Sequence, residues 1–265
     1  MSAAVEARLS ELDRATDARS ASPELASELF GVADLLASQA TLRNALADPT
    51  IADGRRRELA ENVFAGKLSA DGVGVAGDAA ALRWQSASGL VAVLERQGLR
   101  TLLGVAQASG KLDTVEEELF RFSRAVAADP QLRAALDDRR APASARTQLV
   151  ADLLEGKADP TTVELAKRGA STTARTLEAS LDDYLKLAAA ARQRAIATVT
   201  VARPLPADQF KRLQAALVSQ LGRQVNLQVV VDPAVMGGVR VQVGDEVIEG
   251  TVAGRLAAAE HELTK

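Results

Sequence analysis

Few side chains in this sequence stand where chemistry would need them. Gly72-Val73-Gly74-Val75-Ala76-Gly77 has the G-x-G-x-x-G spacing of a dinucleotide loop. Such a loop follows a strand, so that its glycines open a helix whose N-terminus meets the pyrophosphate. Lys67-Leu68-Ser69-Ala70-Asp71 precedes the run without strand alternation, so the run reads as a flexible interhelical linker. His261 is the one histidine; alone it cannot supply a metal cluster, and it reads as a solvated side chain of a polar terminal helix. Glu116-Glu117-Glu118 offers carboxylates, but adjacent helical positions point apart, so the run reads as a solvated first turn favoured by the helix dipole. Arg55-Arg56-Arg57, followed by Glu58 and Glu61, reads as a solvated face and not a phosphate site. Trp84 fits core or interface equally well. The absence of cysteine excludes disulfides, thiolate metal sites and a cysteine nucleophile. No catalytic residue, cofactor or metal site is therefore expected.

The composition points the same way. Of 265 residues, 47% are apolar, 25% charged and only 3% aromatic, so the apolar content is mostly the helix formers Ala and Leu together with Val. A net charge of −3 gives no basic field for nucleic acid. No run approaches the ~18 apolar residues of a membrane span. Met1-Ser2-Ala3-Ala4-Val5-Glu6-Ala7-Arg8 lacks the basic-then-apolar order of a secretion signal, and the expectation is a cytoplasmic protein.

The elements that organise the first two-thirds form a repeat. Glu28-Leu29-Phe30 recurs as Glu118-Leu119-Phe120, Leu42-Arg43 as Leu132-Arg133, Ala45-Leu46 as Ala135-Leu136 and Gly66-Lys67 as Gly156-Lys157, each pair 90 residues apart. Asp48/Asp138, Arg56/Arg146 and Leu59/Leu149 keep the register, and 13 of the 41 positions in 28–68 and 118–158 are identical. Composition alone gives roughly three or four, so a duplicated helical unit is expected, with both copies folding alike.

Each copy reads as amphipathic helices. Leu25, Leu29, Val32 and Leu36 form one stripe and Val115, Leu119, Phe122 and Val126 its partner. Asp129-Pro130 and Ala141-Pro142 interrupt the second copy, and Gly66 and Gly156 stand at helix C-caps. A helical stretch over roughly 78–107 lies between the copies, and another over about 161–194 carries Leu177, Leu181, Tyr184, Leu185 and Leu187. Such stripes are buried only by packing as bundles.

Near residue 195 the period changes. Ile196–Val201 is a β-branched strand, Phe210, Leu213, Leu217 and Leu221 mark a helix, and Val225–Val231 alternates as a second strand. Val239, Val241 and Val243 form a third, Gly244-Asp245 turns, and Glu246–Glu249 returns as a hairpin partner. Gly250-Thr251 opens a final helix through Leu256 and Leu263. The fold class is thus α+β, mostly α: two tandem related helical bundles, over 1–108 and 109–194 and able to share the 78–107 helix, then a small strand–helix–strand–strand–strand–helix domain over 195–265.

The stretch Val229-Val230-Val231-Asp232-Pro233-Ala234-Val235-Met236-Gly237-Gly238-Val239-Arg240-Val241-Gln242-Val243-Gly244-Asp245-Glu246-Val247-Ile248-Glu249-Gly250-Thr251-Val252-Ala253-Gly254-Arg255-Leu256 resembles the C-terminal signature of ATP synthase delta subunits, whose mitochondrial relative is the oligomycin-sensitivity-conferring protein. The resemblance extends over roughly residues 95–265, through Gly110-Lys111-Leu112-Asp113, the Glu116–Leu119 helix and Leu132–Leu136. It departs where Glu249 and Thr251 replace the usual Asp and Ser, and where Gln97-Gly98-Leu99-Arg100-Thr101-Leu102-Leu103 replaces the Arg-x-Tyr-Ala-x-Ala-Leu start. The extra N-terminal copy resembles the longer delta subunits of actinobacteria, or the delta part of fused b–delta chains.

The resemblance implies Asp232, Pro233, Gly237, Gly238, Gly244, Asp245, Gly250 and Arg255 as structural motif residues, with Gly237-Gly238 permitting a positive-φ bend. It implies a non-catalytic stator subunit on the cytoplasmic face of the membrane, one copy per complex. That subunit would join alpha-subunit N-terminal segments, held by the helical part, to the C-terminal helix of the peripheral-stalk b subunit, held by the tail. Without the resemblance, the same residues read as a generic helical adaptor for partner helices.

Overall fold

The computed structural model describes residues 3–172, 175–194, 196–221, 226–232, 235, 238–243 and 246–251. These residues form twelve helices and four strands. The chain divides into two compact units, Met1–Leu187 and Ala188–Lys265. The sequence led to an expectation of three domains. The first of these units holds both helical copies, whose sharing of a helix the sequence allowed.

The helices of the first copy are α1 (Ala3–Asp17), α2 (Pro23–Ser38), α3 (Ala40–Ala47), α4 (Asp53–Phe64), α5 (Ala70–Ala81) and α6 (Ala87–Ala108). Then follow α7 (Leu112–Ala128), α8 (Pro130–Asp137), α9 (Ala143–Leu154), α10 (Pro160–Ser171) and α11 (Leu177–Arg194). Moving α3, α4 and α5 along the chain by the repeat period gives the bounds of α8, α9 and α10, and α6 and α11 start in register. The same shift carries α1 onto the C-terminal half of α6. That helix therefore closes the first bundle and opens the second.

Local chemistry sets the ends. Ser22 Oγ accepts from the Leu25 N–H at 3.1 Å with Pro23 in the first turn of α2. Asp129 accepts from Gln131 and Leu132 N–H at 2.9 and 3.1 Å ahead of Pro130, and Asp159 from Thr161 N–H at 2.9 Å ahead of Pro160. Gly66 and Gly156 have φ of 71° and 72°, the left-handed C-cap geometry expected of them. The core of the first copy is built around Leu29, Leu36, Leu46, Leu90 and Leu94, all at most 1% exposed.

Two expectations are corrected here. The 78–107 stretch is broken, α5 ending at Ala81 and α6 starting at Ala87. The Gly72–Gly77 run is no linker, for it lies inside α5, which Ser69 caps by accepting from Gly72 N–H at 3.0 Å. The glycines lower helix propensity by about 1 kcal/mol each, but tertiary packing uses their bare backbone. A Cβ on Gly72 would stand 2.3 Å from Glu28 Oε2, and one on Gly74 2.6 Å from Arg19 Nη2.

The second unit holds β1 (Ile196–Val201), α12 (Ala207–Leu221), β2 (Asn226–Val231), β3 (Gly238–Val243) and β4 (Glu246–Thr251). The sheet order is β2-β1-β3-β4, with β1 and β2 parallel across the α12 crossover and the other pairs antiparallel. Ala197, Val199, Val201, Val241 and Val243 point to one face and are buried with Leu217, while Leu213 packs against them half-buried. Val225 and the expected final helix lie outside the described residues.

Candidate protein-interaction site

The motif of the tail is a frame of strands. The Asp232 N–H donates to Val201 O at 2.9 Å, continuing the parallel pairing one step past β2, and Asp232 O accepts from Val235 N–H at 3.1 Å. Gly238 enters β3 at φ 88°, opposite Thr251, and Gly250 faces Val239. That positive φ is the bend for which a glycine is needed. Pro233, Gly237, Gly244, Asp245 and Arg255 lie outside the described residues.

Among the described residues, one sheet face is exposed. The register aligns Val230, Thr200 and Arg240 in one cross-strand row, and Gln228, Thr198, Gln242 and Val247 in the next. Val230 and Val247 are 47% and 44% exposed, and Gln228, Arg240 and Gln242 are exposed too. The apolar face goes to the core, and the opposite face is a mixed polar and aliphatic surface at its described residues.

In the helical unit, the charged runs take on structural work. Arg56 is fully buried, correcting its reading as part of a solvated cluster. Its guanidinium donates to the carbonyls of Asp48, Ile51, Ala80, Ala81 and Leu82, and to Asp53 Oδ1. Arg146, at the matching position, donates to the carbonyls of Asp138, Ala141, Ala170 and Ser171. Four of these acceptors correspond one to one through the repeat, so both copies close alike. The clue in the sequence was that Arg56 alone of the three arginines recurs.

Glu118 is half-buried and engaged within the fold: its Oε2 accepts from Asp159 N–H at 2.9 Å and Thr162 Oγ–H at 2.6 Å. Glu28 does the same for Ser69 N–H and Oγ–H at 2.8 and 2.6 Å. Each glutamate ties the second helix of its copy to the N-terminus of the fifth. Trp84 is half-buried against the first core and donates Nε1–H to Ala79 O at 3.0 Å. Among the described residues, no group of three or more His, Cys, Asp or Glu could hold a metal ion, and no helix is long and apolar enough to cross a membrane.

Arg168 on α10, which the sequence did not single out, joins the copies. Its guanidinium binds Glu95 of α6, meets Asp34 of α2 with two contacts of 2.8 Å, and lies 4.6 Å from the centroid of Phe30. Burial opposes its charge, but hydrogen bonds and attraction from Glu95 and Asp34 more than offset this and hold it above its ordinary value. Burial, reinforced by Glu95, also pushes the Tyr184 phenol well above its usual range.

The family model of the ATP synthase delta (OSCP) subunit matches residues 100–263. The ATP synthase subunit delta of Streptomyces avermitilis is 44% identical over 254 residues, covering 95% of this chain and 93% of that one. This chain belongs to the ATP synthase delta (OSCP) family. The Parafrankia relative is 43% identical over 242 residues, 91% of this chain and 87% of its own, and that of Streptomyces coelicolor 41% over 262, 98% and 96%. The family match begins inside α6 and takes in α7 to α11 and the tail. The alignments to these actinobacterial relatives run on through the first helical copy, so the duplicated form is shared with them.

Proposed function

We propose that this chain is a non-catalytic stator connector of an F-type ATP synthase, held peripherally at the cytoplasmic face of the membrane as one copy per complex. In this reading the helical unit grips alpha-subunit N-terminal segments and the tail holds the C-terminal helix of the b subunit. The connection resists rotation of the catalytic hexamer and so couples it to proton flow. The observation that carries the reading is family membership running through both helical copies and the tail at more than 40% identity. Two units of different class, one all-helical and one with an open mixed sheet face, suit two different partners.

The reading divides the binding between the units. A chain ending at residue 194 loses affinity for the b subunit and keeps it for an alpha N-terminal peptide, measured by surface plasmon resonance on immobilised partners. Undiminished b binding by the shortened chain overturns the division. Absence of both interactions in the full chain overturns the stator role and leaves a generic helical adaptor.

A further inference from the structure

The repeat supplies a template for a second interaction surface. In the first copy, the exposed side of α2 carries Phe30 and Asp34 one helical turn apart. That side is already occupied, with Arg168 of α10 over the Phe30 ring and paired with Asp34, and with Glu95 completing its carboxylate cradle. The covering element is a helix, and what it brings is a cation above an aromatic ring.

In the second copy the matching positions are Phe120, Arg124 and Leu185. Phe120 is 55% exposed, the most exposed of the large apolar side chains among the described residues. Arg124 is exposed. Asp34 has become Arg124 and Glu95 has become Leu185, so in the repeat register the position that took a cation in the first copy now presents one, and one cradle carboxylate is replaced by an aliphatic residue.

We propose that the α7 face around Phe120 and Arg124 docks a helix of another polypeptide, one carrying a carboxylate one turn from an aliphatic side chain. The carboxylate pairs with Arg124 and the aliphatic group covers Phe120, an inversion of the Arg168 arrangement. A second copy of this chain is a poorer occupant. The position matching Arg168 in the first copy is Asp78, which Arg19 and Arg57 already hold at 3.0 Å each. The proposal rests on the stator reading for the source of its partner, another subunit of the assembled complex.

The chain has no cysteine, so one introduced thiol reports on this face. Ala128 is exposed at the end of α7, two turns beyond Phe120 on the same side, and Ala128→Cys leaves the two key residues intact. Maleimide labelling is compared in the free chain and in purified ATP synthase. We expect labelling to slow about tenfold or more in the complex. Adding Arg124→Glu or Phe120→Ser should speed it again while the chain still co-purifies. A bifunctional cross-linker from the thiol should capture an acidic helix of another subunit. A thiol that labels equally fast in the complex overturns the docking surface alone, and so does a cross-link to a second copy. A chain missing from the purified complex overturns the stator reading, and the proposal with it.

Discussion

Arg56 and Arg146 show how a charged side chain becomes the centre of a fold. A guanidinium has five donors and loses little hydration on burial compared with an ammonium, so it can satisfy several helix-end carbonyls at once. Removing it leaves those carbonyls buried without donors, each a desolvation cost of about 1–3 kcal/mol unless water enters. Arg56→Leu is therefore expected to lower stability by about 3 kcal/mol in urea denaturation, with Arg146→Leu similar. Arg56→Lys should recover only part, because one ammonium cannot span carbonyls on both sides of the bundle. A loss below about 0.5 kcal/mol for both leucine variants would show that water replaces the arginine and that the hub is incidental. The sequence revealed the recurrence of these arginines but not their burial. Burial depends on Ala80 and Ala170, which lie 24 residues further along the chain.

At the scale of elements, α1 is held by charge as well as by Leu12. Asp13 is 6% exposed and is bound by Arg96, by Gln97 Nε2 at 2.9 Å and by Arg100 Nε at 3.3 Å, all from α6. Burial raises the Asp13 pKa, but hydrogen bonding to Arg96 and the charges of Arg100 and Arg96 outweigh it and hold the carboxyl below its ordinary 3.8. A carboxyl with a lowered folded-state pKa contributes stability that is fully present above the unfolded value and lost as pH falls through the folded one. Protection factors of the α1 amides, taken relative to the intrinsic exchange rate at each pH, should thus be high at neutral pH and fall below about pH 4. Asp13→Asn should show fast exchange already at pH 7, and an Asn variant with native protection would remove the electrostatic tie from the account.

Sequence reading missed α1 because its apolar stripe is short and one buried position is charged, its partners lying 83 residues away. It misread α5 for a related reason: local propensity argued against the glycines, and only the side chains of Glu28 and Arg19 lying across them explain the helix. Where local signals suffice, the reading was close. The repeat register, the Asp-Pro and glycine boundaries and the strand pattern of the tail follow from capping, proline geometry and alternation. The open sheet face did not follow, because alternation shows which side is apolar and says nothing of what covers the other.

At the scale of the whole molecule the proposed role is mechanical: a chain that holds the catalytic head still against a fixed stalk. The most direct measurement is ATP-driven proton pumping by inverted membrane vesicles, followed by quenching of a pH-sensitive dye. Vesicles stripped of the chain should hydrolyse ATP with little pumping, because torque is lost where the head is not held. Adding back the full chain should restore pumping, and adding a chain ending at residue 194 should not. Full pumping by vesicles from which the chain is absent would contradict the account.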